Sequence, residues 1–323
     1  MKNYDISIIV PVYKAENFIE KCATTLFNQD YKNIEYIFVN DVTPDNSMEV
    51  LDGVINKFTN RKDDIKIINN EVNKGSSLTR KIGLDNSNGE YILFIDSDDW
   101  VELDMVSSLY KKAKEENADI VCCDYFVNFK KKEKYKKLQQ NRLNSSLKYI
   151  LNGGISPSLW DKLYKRELFF KVSFSKFSYA EDYFINIQFF YFAKKISYLN
   201  RGFLHYNQMN ESSIVTNQNL LKRREEIKEL FIEASKFLEA NNLSNYKKYL
   251  YQYILILIIT NSESNTKDNI YRISPDLYKI RYLWKNDTLF LLRKIIFSFG
   301  FFNMGFIVAY CKKLYKILQG KKR

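Results

Sequence analysis

The stretch YILFIDSDDW, residues 91–100, places an uninterrupted apolar run directly before three carboxylates. Five consecutive apolar residues are typical of a strand buried on both faces, as in a parallel sheet. Asp96, Asp98 and Asp99 then stand at the carboxyl end of that strand, where open α/β sheets bind ligands. Their charges repel unless a cation lies between them, and hard carboxylate oxygens suit Mg²⁺ or Mn²⁺. The alternative is an acidic loop in which Asp99 or Asp104 caps the next helix.

The segments around this strand alternate between strand and helix patterns. Short apolar runs predict strands, and apolar residues at helical spacing predict helices. Such β–α alternation predicts a parallel sheet with right-handed crossovers and helices on its faces. The predicted strands are residues 6–10, 35–39, 65–68, 91–95 and 119–123, and the predicted helices lie near 16–28, 45–58, 75–88 and 105–116.

Charge is distributed unevenly along the 323 residues, whose net charge is +12. Residues 1–100 hold 11 Lys and Arg against 17 Asp and Glu, whereas residues 101–323 hold 39 against 21. An acidic front part does not suit a nucleic-acid binder, and no zinc-finger, helix-turn-helix or RNA-binding signature is present. We therefore expect no nucleic-acid partner. The basic rear part of the chain suits contact with an anionic membrane surface.

Cysteine and histidine usage excludes two further classes of site. The four cysteines have no framework spacing, and the single histidine, His205, excludes a His-rich metal centre. The apolar run near the N-terminus stops at Pro11, which is too short for a signal peptide or a membrane span. These features predict a cytoplasmic protein.

The second half of the chain changes character. Residues 130–137 are nearly all lysine, which predicts a solvated loop or, alternatively, a segment that faces an anionic surface or acceptor. From about residue 220 the pattern is helical, and residues 289–318 combine an apolar, aromatic body with basic flanks. We predict an interfacial helix pair at the inner face of the cell membrane, because the longest uncharged stretch is at the lower limit for a span. The alternatives are packing on the α/β part of the same chain and a homodimer face.

Six motifs occur in a characteristic order along the chain. The three long ones are ISIIVPVYKAENFIEKC (6–22), YIFVNDVTPDNS (36–47) and NKGSSLTRKIGLDNSNGEYILFIDSDDW (73–100), and the three short ones are WDKLYKRELF, YAEDYF and HYNQMNESSI. Together they resemble the motifs of family 2 glycosyltransferases with the GT-A fold, which the long motifs follow in order and spacing and the short ones more loosely. The resemblance implies an α/β, Rossmann-like, mostly parallel sheet in a GT-A domain at 1–215, with a helical, basic extension at 216–323. Within that domain, residues 1–100 would bind the nucleotide-sugar and 101–215 the acceptor.

The resemblance also assigns the donor site. Tyr13 would lie against the nucleobase, Asp41 would bond the base or ribose, and Arg80 would lie beside the diphosphate, which suits a planar guanidinium. Asp98 would hold the Mn²⁺ or Mg²⁺ cofactor, and Asp96 would bind the ribose or donor sugar. Tyr13 as a packing residue and Arg80 as a helix-surface residue are the alternatives. The implied donor residues are Pro11, Val12, Tyr13, Glu16, Asp41, Arg80, Asp96 and Asp98, with Glu16 fixing the loop by hydrogen bonds.

The resemblance places the catalytic base at Asp182, with Glu181 as its neighbour. A carboxylate base needs a raised pKa, which the aromatic residues around YAEDYF can supply. The alternative is that both residues begin a helix and favour its dipole. The weaker candidates are Asp99 in the aspartate run, Trp160, Lys162 and Arg166 as contacts of the acceptor or a phosphate, and His205 as an additional metal ligand. The alternatives are a core position for Trp160 and a packed or hydrogen-bonded role for His205.

Three positions depart from the family pattern. Lys14 stands where the family usually has Asn, Val42 where Gly is common, and Lys81 where Asn is usual. None of them removes the metal-binding residues or the base. Val42 bears on the shape of its loop.

The implied activity is inverting transfer of a sugar from a nucleotide diphosphate, favouring UDP, to a hydroxyl of a saccharide or lipid-linked acceptor. We expect this activity to serve the assembly of a surface polysaccharide or a glycolipid. A sugar-phosphate nucleotidyltransferase is a second hypothesis, but the loop PVYKAEN lacks the glycines that such enzymes use. A non-catalytic nucleotide-sugar-binding or scaffolding subunit is a third, which the acidic motifs disfavour.

Overall fold

A computed structural model describes residues 3–210, 220–262 and 265–318. The strands are β1 Ile6–Val12, β2 Ile34–Asn40, β3 Ile65–Asn69, β4 Tyr91–Phe94, β5 Trp100–Val101, β6 Ile120–Phe129, β7 Lys132–Lys136, β8 Lys162–Lys165 and β9 Ile196–Asn207. The helices are α1 Ile19–Phe27, α2 Ser47–Lys57, α3 Gly75–Asp85, α4 Met105–Glu116, α5 Ser146–Leu151, α6 Glu181–Phe192, α7 Leu220–Ala240, α8 Lys247–Thr260, α9 Thr266–Ile273, α10 Arg281–Trp284, α11 Leu291–Phe301 and α12 Gly305–Leu318. The predicted strands and helices of the first half are all present, with boundaries shifted by a few residues.

The described strands form one mixed sheet in the order β3-β2-β1-β4-β8-β6-β9-β5, with β7 paired to β6. The β1, β2, β3 and β4 strands are mutually parallel, as predicted. The β8 strand runs antiparallel to both β4 and β6, so that β6 and its parallel neighbour β9 point the same way as β4. The carboxyl ends of β1, β2, β4, β6 and β9 therefore share one edge. Beyond β1 to β4 the sheet is more antiparallel than expected, since β5, β7 and β8 all pair in that sense.

The sheet separates two hydrophobic cores. Ile6, Ile8 and Val10 of β1 face α1, α2 and α4, whereas Ile9 faces the core that contains α3 and α6. This division follows from the alternation of side chains along a strand. The second core continues into the C-terminal helices, with residues such as Leu230, Ile254 and Phe301. The helical extension therefore packs on the catalytic part of its own chain.

Two features beyond β6 bear on the sequence predictions. The lysine-rich segment was predicted as a solvated loop or, alternatively, as a segment that faces an anionic surface or acceptor, but residues 132–136 form β7, which makes an antiparallel hairpin with β6. The loop prediction was wrong because Tyr135 anchors the segment, donating a hydrogen bond of 2.7 Å to the buried Asp124. Within the described ranges no helix is long and apolar enough to cross a membrane.

Candidate active site

The loops that follow β1 and β2 meet at the carboxyl edge of the sheet. The Tyr13 ring is 39% exposed beside this edge, whereas the Val12 side chain is fully buried and so contributes only its backbone there. Glu16 accepts hydrogen bonds from the backbone and side-chain amides of Asn46, which ties the two loops together as expected. Tyr13 is thus partly exposed at this edge, and the Lys14 ammonium lies 5.3 Å from its ring centroid.

Asp41 is buried, and its carboxylate is occupied within the protein. It accepts hydrogen bonds from the backbone amides of Lys74 and Gly75 at 2.8 and 2.9 Å, and from the Asn70 side chain at 2.8 Å. A carboxylate at the first turn of a helix satisfies amides that lack partners and favours the helix dipole. Asp41 therefore fixes the start of α3, the helix that carries Arg80.

The carboxylates after β4 lie on a turn closed by a 3.0 Å hydrogen bond from the Asp99 amide to the Asp96 carbonyl. Burial, and then the charge of Asp96, raise the pKa of Asp98 to about 6. Burial and the charges of Asp98 and Asp96 likewise raise the pKa of Asp99, whose Oδ1 accepts from the Asn207 amide at 2.7 Å. Asp99 Oδ2 is buried with no hydrogen-bond partner. The turn thus brings three carboxylates together, and the charges of Asp96 and Asp98 contribute to the raised pKa values of their neighbours.

This cluster fits a divalent cation. Its donors are carboxylate oxygens, which Mg²⁺ and Mn²⁺ prefer, and one of them, the buried Asp99 Oδ2, has no hydrogen-bond partner. In the described part of the chain no three His, Cys, Asp or Glu side chains are grouped to hold an ion. A cation here would need further ligands from outside the protein, such as phosphate oxygens.

Arg80 lies at the centre of the site and is only 4% exposed. Its guanidinium donates to Asp96 at 2.7 Å, to Glu181 at 3.0 Å and to Asp182 at 3.1 Å. A rigid fork of five donors can bridge several carboxylates in this way. The sequence predicted phosphate contacts for Arg80; the structure instead places it between the aspartate turn and the start of α6.

Glu181 and Asp182 begin α6, and their surroundings separate their roles. Glu181 is bonded to both Ser76 Oγ and Arg80, and its side chain is 10% exposed. Asp182 is 20% exposed, and its Oδ2 accepts a long bond of 3.4 Å from the Leu159 amide. Burial, opposed by Arg80 and assisted by Glu181 and Asp96, raises the pKa of Asp182 to about 7. Of the two carboxylates at the start of α6, Asp182 is therefore the more exposed, and its pKa is raised toward neutral pH.

Three residues of these loops adopt left-handed backbone conformations: Lys14 at φ 52°, Val42 at φ 58° and Ala180 at φ 59°. Gly and Asn adopt this region with least strain, whereas a β-branched residue rarely does. The first two are the positions at which the family usually has Asn and Gly. The departures at Lys14 and Val42 therefore place residues with side chains in a strained backbone conformation.

The residues that the sequence offered as weaker site candidates are mostly buried. Trp160 is 5% exposed and packs against Tyr125 and Tyr206, as in the core alternative. His205 is stacked between Trp100 and Phe126.

Both ring nitrogens of His205 have partners, which does not suit a metal ligand. Its Nε2 lies 2.8 Å from Glu102, and its Nδ1 lies 3.2 Å from both Glu133 and Asn128. Lys162 is fully buried, and Arg166 contacts Ser87 beyond α3, near the amino end of β4, so the structure contradicts contacts of either with an acceptor.

Several further residues, for which no role was predicted from the sequence, contact the site. Asn210 donates to Asp98 at 2.8 Å, Ser76 contacts Glu181, and the Leu159 amide contacts Asp182. Asn210 and Ser76 lie inside quoted motifs, so their polar character was a usable signal. Residues 211–214 of HYNQMNESSI lie outside the described residues.

Comparison with known proteins identifies the class. The profile of Glycosyl transferase family 2 matches residues 7–180. The chain belongs to this family, and it is a glycosyltransferase. It is 36% identical to glycosyltransferase GlyA of Streptococcus pneumoniae over 62% of this chain, although this alignment spans only 30% of GlyA. It is 32% identical to EpsH of Bacillus subtilis, over 79% of this chain and 76% of EpsH.

Solved structures confirm the GT-A fold. A structure of S. aureus TarS in complex with UDP-GlcNAc superposes with a TM-score of 0.69 at 18% identity, covering 98% of this chain and 92% of that one. A Pyrobaculum calidifontis mannosyltransferase in complex with GDP-Man and Mn²⁺ superposes with a TM-score of 0.56 at 13% identity, covering 100% and 89%. At these identities the likeness shows the architecture alone.

Proposed function

We propose that this glycosyltransferase inverts the anomeric centre of a UDP-linked sugar as it passes that sugar to a hydroxyl acceptor. The observation that carries the proposal is the bridge formed by Arg80, which joins Asp96 on the donor side to Asp182 on the acceptor side. A nucleotide sugar is supported by the UDP-GlcNAc and GDP-Man complexes of the structural neighbours. The division at residue 215 into catalytic domain and extension is part of the same proposal.

The donor would occupy the edge formed by the loops after β1, β2 and β4. The exposed Tyr13 ring offers a stacking surface for the base. Asp98 and Asp96 would hold Mn²⁺ or Mg²⁺, which when bound supplies positive charge to the departing diphosphate. Asp41 holds the start of α3 and so positions Arg80 between the two groups of carboxylates.

Asp182 is the proposed general base. Its raised pKa matches the task of taking a proton from an acceptor hydroxyl near pH 7. Glu181 is held by both Ser76 and Arg80, whereas Asp182 is the more exposed of the two carboxylates, which supports Asp182 as a single base. Direct attack by the acceptor on the face opposite the diphosphate inverts the anomeric configuration.

The acceptor is proposed to be a saccharide or lipid-linked hydroxyl of surface polysaccharide or glycolipid assembly, reached at the inner face of the membrane. Its support lies in the names of relatives, which include a cholesterol galactosyltransferase of Borreliella burgdorferi and a poly(ribitol-phosphate) beta-glucosyltransferase of Bacillus spizizenii. Those acceptors are stated for those proteins only.

The test is a panel of UDP- and GDP-sugars with the full chain, with and without Mn²⁺, read by thermal shift and by release of nucleotide. We expect one donor to give a Mn²⁺-dependent shift that Asp98→Ala removes, while the matched surface variant Asp52→Ala retains it. NMR of the product should show the anomeric configuration opposite to that of the donor. Retention of configuration, or binding of every donor without any turnover, would contradict the proposal and favour a non-catalytic subunit.

A further inference from the structure

The C-terminal helices leave an unusual amount of apolar surface uncovered. Eleven of the twenty-two large apolar side chains that are exposed in the described chain lie between residues 284 and 314. On α12 the exposed residues Phe306, Tyr310 and Leu314 recur every four positions, which places them on one stripe of the helix. Phe290, Leu291 and Leu292 at the start of α11 are 78%, 64% and 69% exposed. Exposed patches of this extent mark interaction surfaces.

The charge of this region is of one sign. Residues 288–323 contain eight Lys and Arg and no Asp or Glu. Two copies meeting through such a surface would bring like charges together, which disfavours self-association. An apolar stripe with basic flanks, on a helix too short to span, is the pattern of an interfacial helix that lies on anionic lipid.

A second basic element lies beside it, the lysine hairpin, defined as residues 129–137 at the junction of β6 and β7. In the part of the chain that the structure describes, no ion pair joins any of its six lysines to a carboxylate. Burial, and then the charges of Lys134 and Arg293, lower the pKa of Lys136, so Arg293 of α11 lies within electrostatic reach.

The chain just after the hairpin is tied to the approach to α11. Lys148 and Asn152 contact Asp287, and the Asn286 side chain donates to the Asn152 carbonyl at 3.2 Å. The hairpin and the start of α11 are therefore neighbours in the fold.

The hairpin also lies at the edge of the sheet that carries the active site, because β6 runs in the same direction as β1 and β4. Its Glu133 contacts His205, whose ring stacks on Trp100 directly after the aspartate turn.

We infer that the lysine hairpin and the exposed apolar residues of α11 and α12 form one docking face for an anionic phospholipid bilayer, which holds the active-site edge close to the lipid surface. The inference deepens the proposed membrane-side location by adding the hairpin and by committing to anionic lipid. A lipid-linked acceptor would then meet Asp182 without leaving the bilayer.

The test is co-sedimentation of the full chain with vesicles of phosphatidylcholine alone or with one quarter phosphatidylglycerol. We expect binding to the anionic vesicles that weakens as salt increases, and little binding to the neutral ones. The variant Lys130→Ser/Lys131→Ser/Lys132→Ser should bind at least tenfold more weakly. The matched control Lys57→Ser/Lys62→Ser/Lys111→Ser removes as much charge from exposed positions in the part of the chain that packs on the opposite sheet face, and should bind as wild type.

A second variant, Phe306→Ser/Tyr310→Ser, addresses the apolar stripe without touching the hairpin. It should lower binding tenfold or more while leaving the thermal unfolding midpoint and donor turnover in detergent unchanged. Equal loss in both lysine triples, absence of binding to anionic vesicles at low salt, or a wild-type dimer that this variant dissociates would each overturn the inference. Donor turnover without lipid tests the proposed function separately, so a failure of one is distinguishable from a failure of the other.

Discussion

Arg80 carries one positive charge that three carboxylates share in a buried setting. Taking these groups out of water is costly, and the cost is offset only while the geometry of the guanidinium is kept. A lysine would retain the charge but has no planar fork to reach Asp96, Glu181 and Asp182 together. The residue therefore acts by positioning both groups of carboxylates.

For Arg80→Lys we expect kcat to fall roughly 100-fold, because small displacements of catalytic groups have effects of this size. Steady-state kinetics with the identified donor measures it. Arg61→Lys is the matched control, since Arg61 is also buried but donates only to backbone carbonyls far from the site. An equal loss of kcat in the two variants would mean that Arg80 matters only for folding.

For Asp182→Asn we expect kcat to fall by roughly 10²–10⁴, the range usual for loss of a general base. In the wild type, kcat should rise with pH and level off near the raised pKa of about 7, because Asp182 accepts a proton only when ionised. A pH profile of kcat measures both effects. Asp52→Asn, at an exposed position, should retain the wild-type profile, and a wild-type profile in Asp182→Asn would exclude it as the base.

At the level of single elements, the strands differ in whether the sequence predicts them. The β1, β2 and β4 strands are apolar runs that end at polar residues, and each was predicted because its pattern is local. The strands β7 and β8 were not predicted, because a lysine-rich or mixed segment becomes a strand only through its neighbour in the sheet. Arg80 was assigned to phosphate for the same reason: its partners on α6 are 101 and 102 residues away in sequence.

The loop after β2 contains a testable point of strain at Val42. A left-handed conformation costs an L-residue about 1–2 kcal/mol, and substitution by glycine removes this cost. The substitution also costs about 0.5–1 kcal/mol, because glycine loses more conformational entropy on folding than other residues do. For Val42→Gly we therefore expect a net gain of about 0.5–1 kcal/mol in the free energy of unfolding, measured by denaturant titration. Val72→Gly, at an exposed loop position with ordinary backbone, should be neutral or destabilising. A destabilised Val42→Gly would show that the loop is not strained.

The turn after β4 gives a prediction on pH. Asp98 keeps its proton up to about pH 6 in the folded protein but releases it near pH 4 when unfolded, so the metal-free protein should lose stability as pH rises between these values. Asp98→Asn should remove this loss and stabilise the metal-free protein at pH 7 by on the order of 1–3 kcal/mol. Thermal unfolding from pH 4 to pH 8 measures it.

Binding of Mn²⁺ in the presence of UDP should weaken below about pH 6, where protons compete for Asp98. Isothermal titration at pH 5 and pH 7 measures this. Binding that is equally strong at the two values would place the ion elsewhere.

At the scale of the whole molecule, the catalytic sheet and the C-terminal helices share one hydrophobic core. Ile9 and Val39 of the sheet belong to the same buried cluster as Leu230, Ile254 and Phe301. We expect a chain ending at residue 210 to be insoluble or molten, because it would expose the apolar surface of α6 and the sheet that the C-terminal helices cover. Near-UV circular dichroism measures the loss of fixed side-chain packing. A chain ending at residue 287 keeps α7 to α10 and serves as the comparison. A well-folded short form would show that the first 210 residues are an independent domain.

The bridge at Arg80 limits how this enzyme can change during evolution. Any substitution that reshapes the side of the site that receives the nucleotide shifts a guanidinium on which the acceptor side also depends. New donor preferences are therefore expected to arise together with compensating changes at the start of α6, and engineers who swap donor loops between relatives should transplant both segments as a unit.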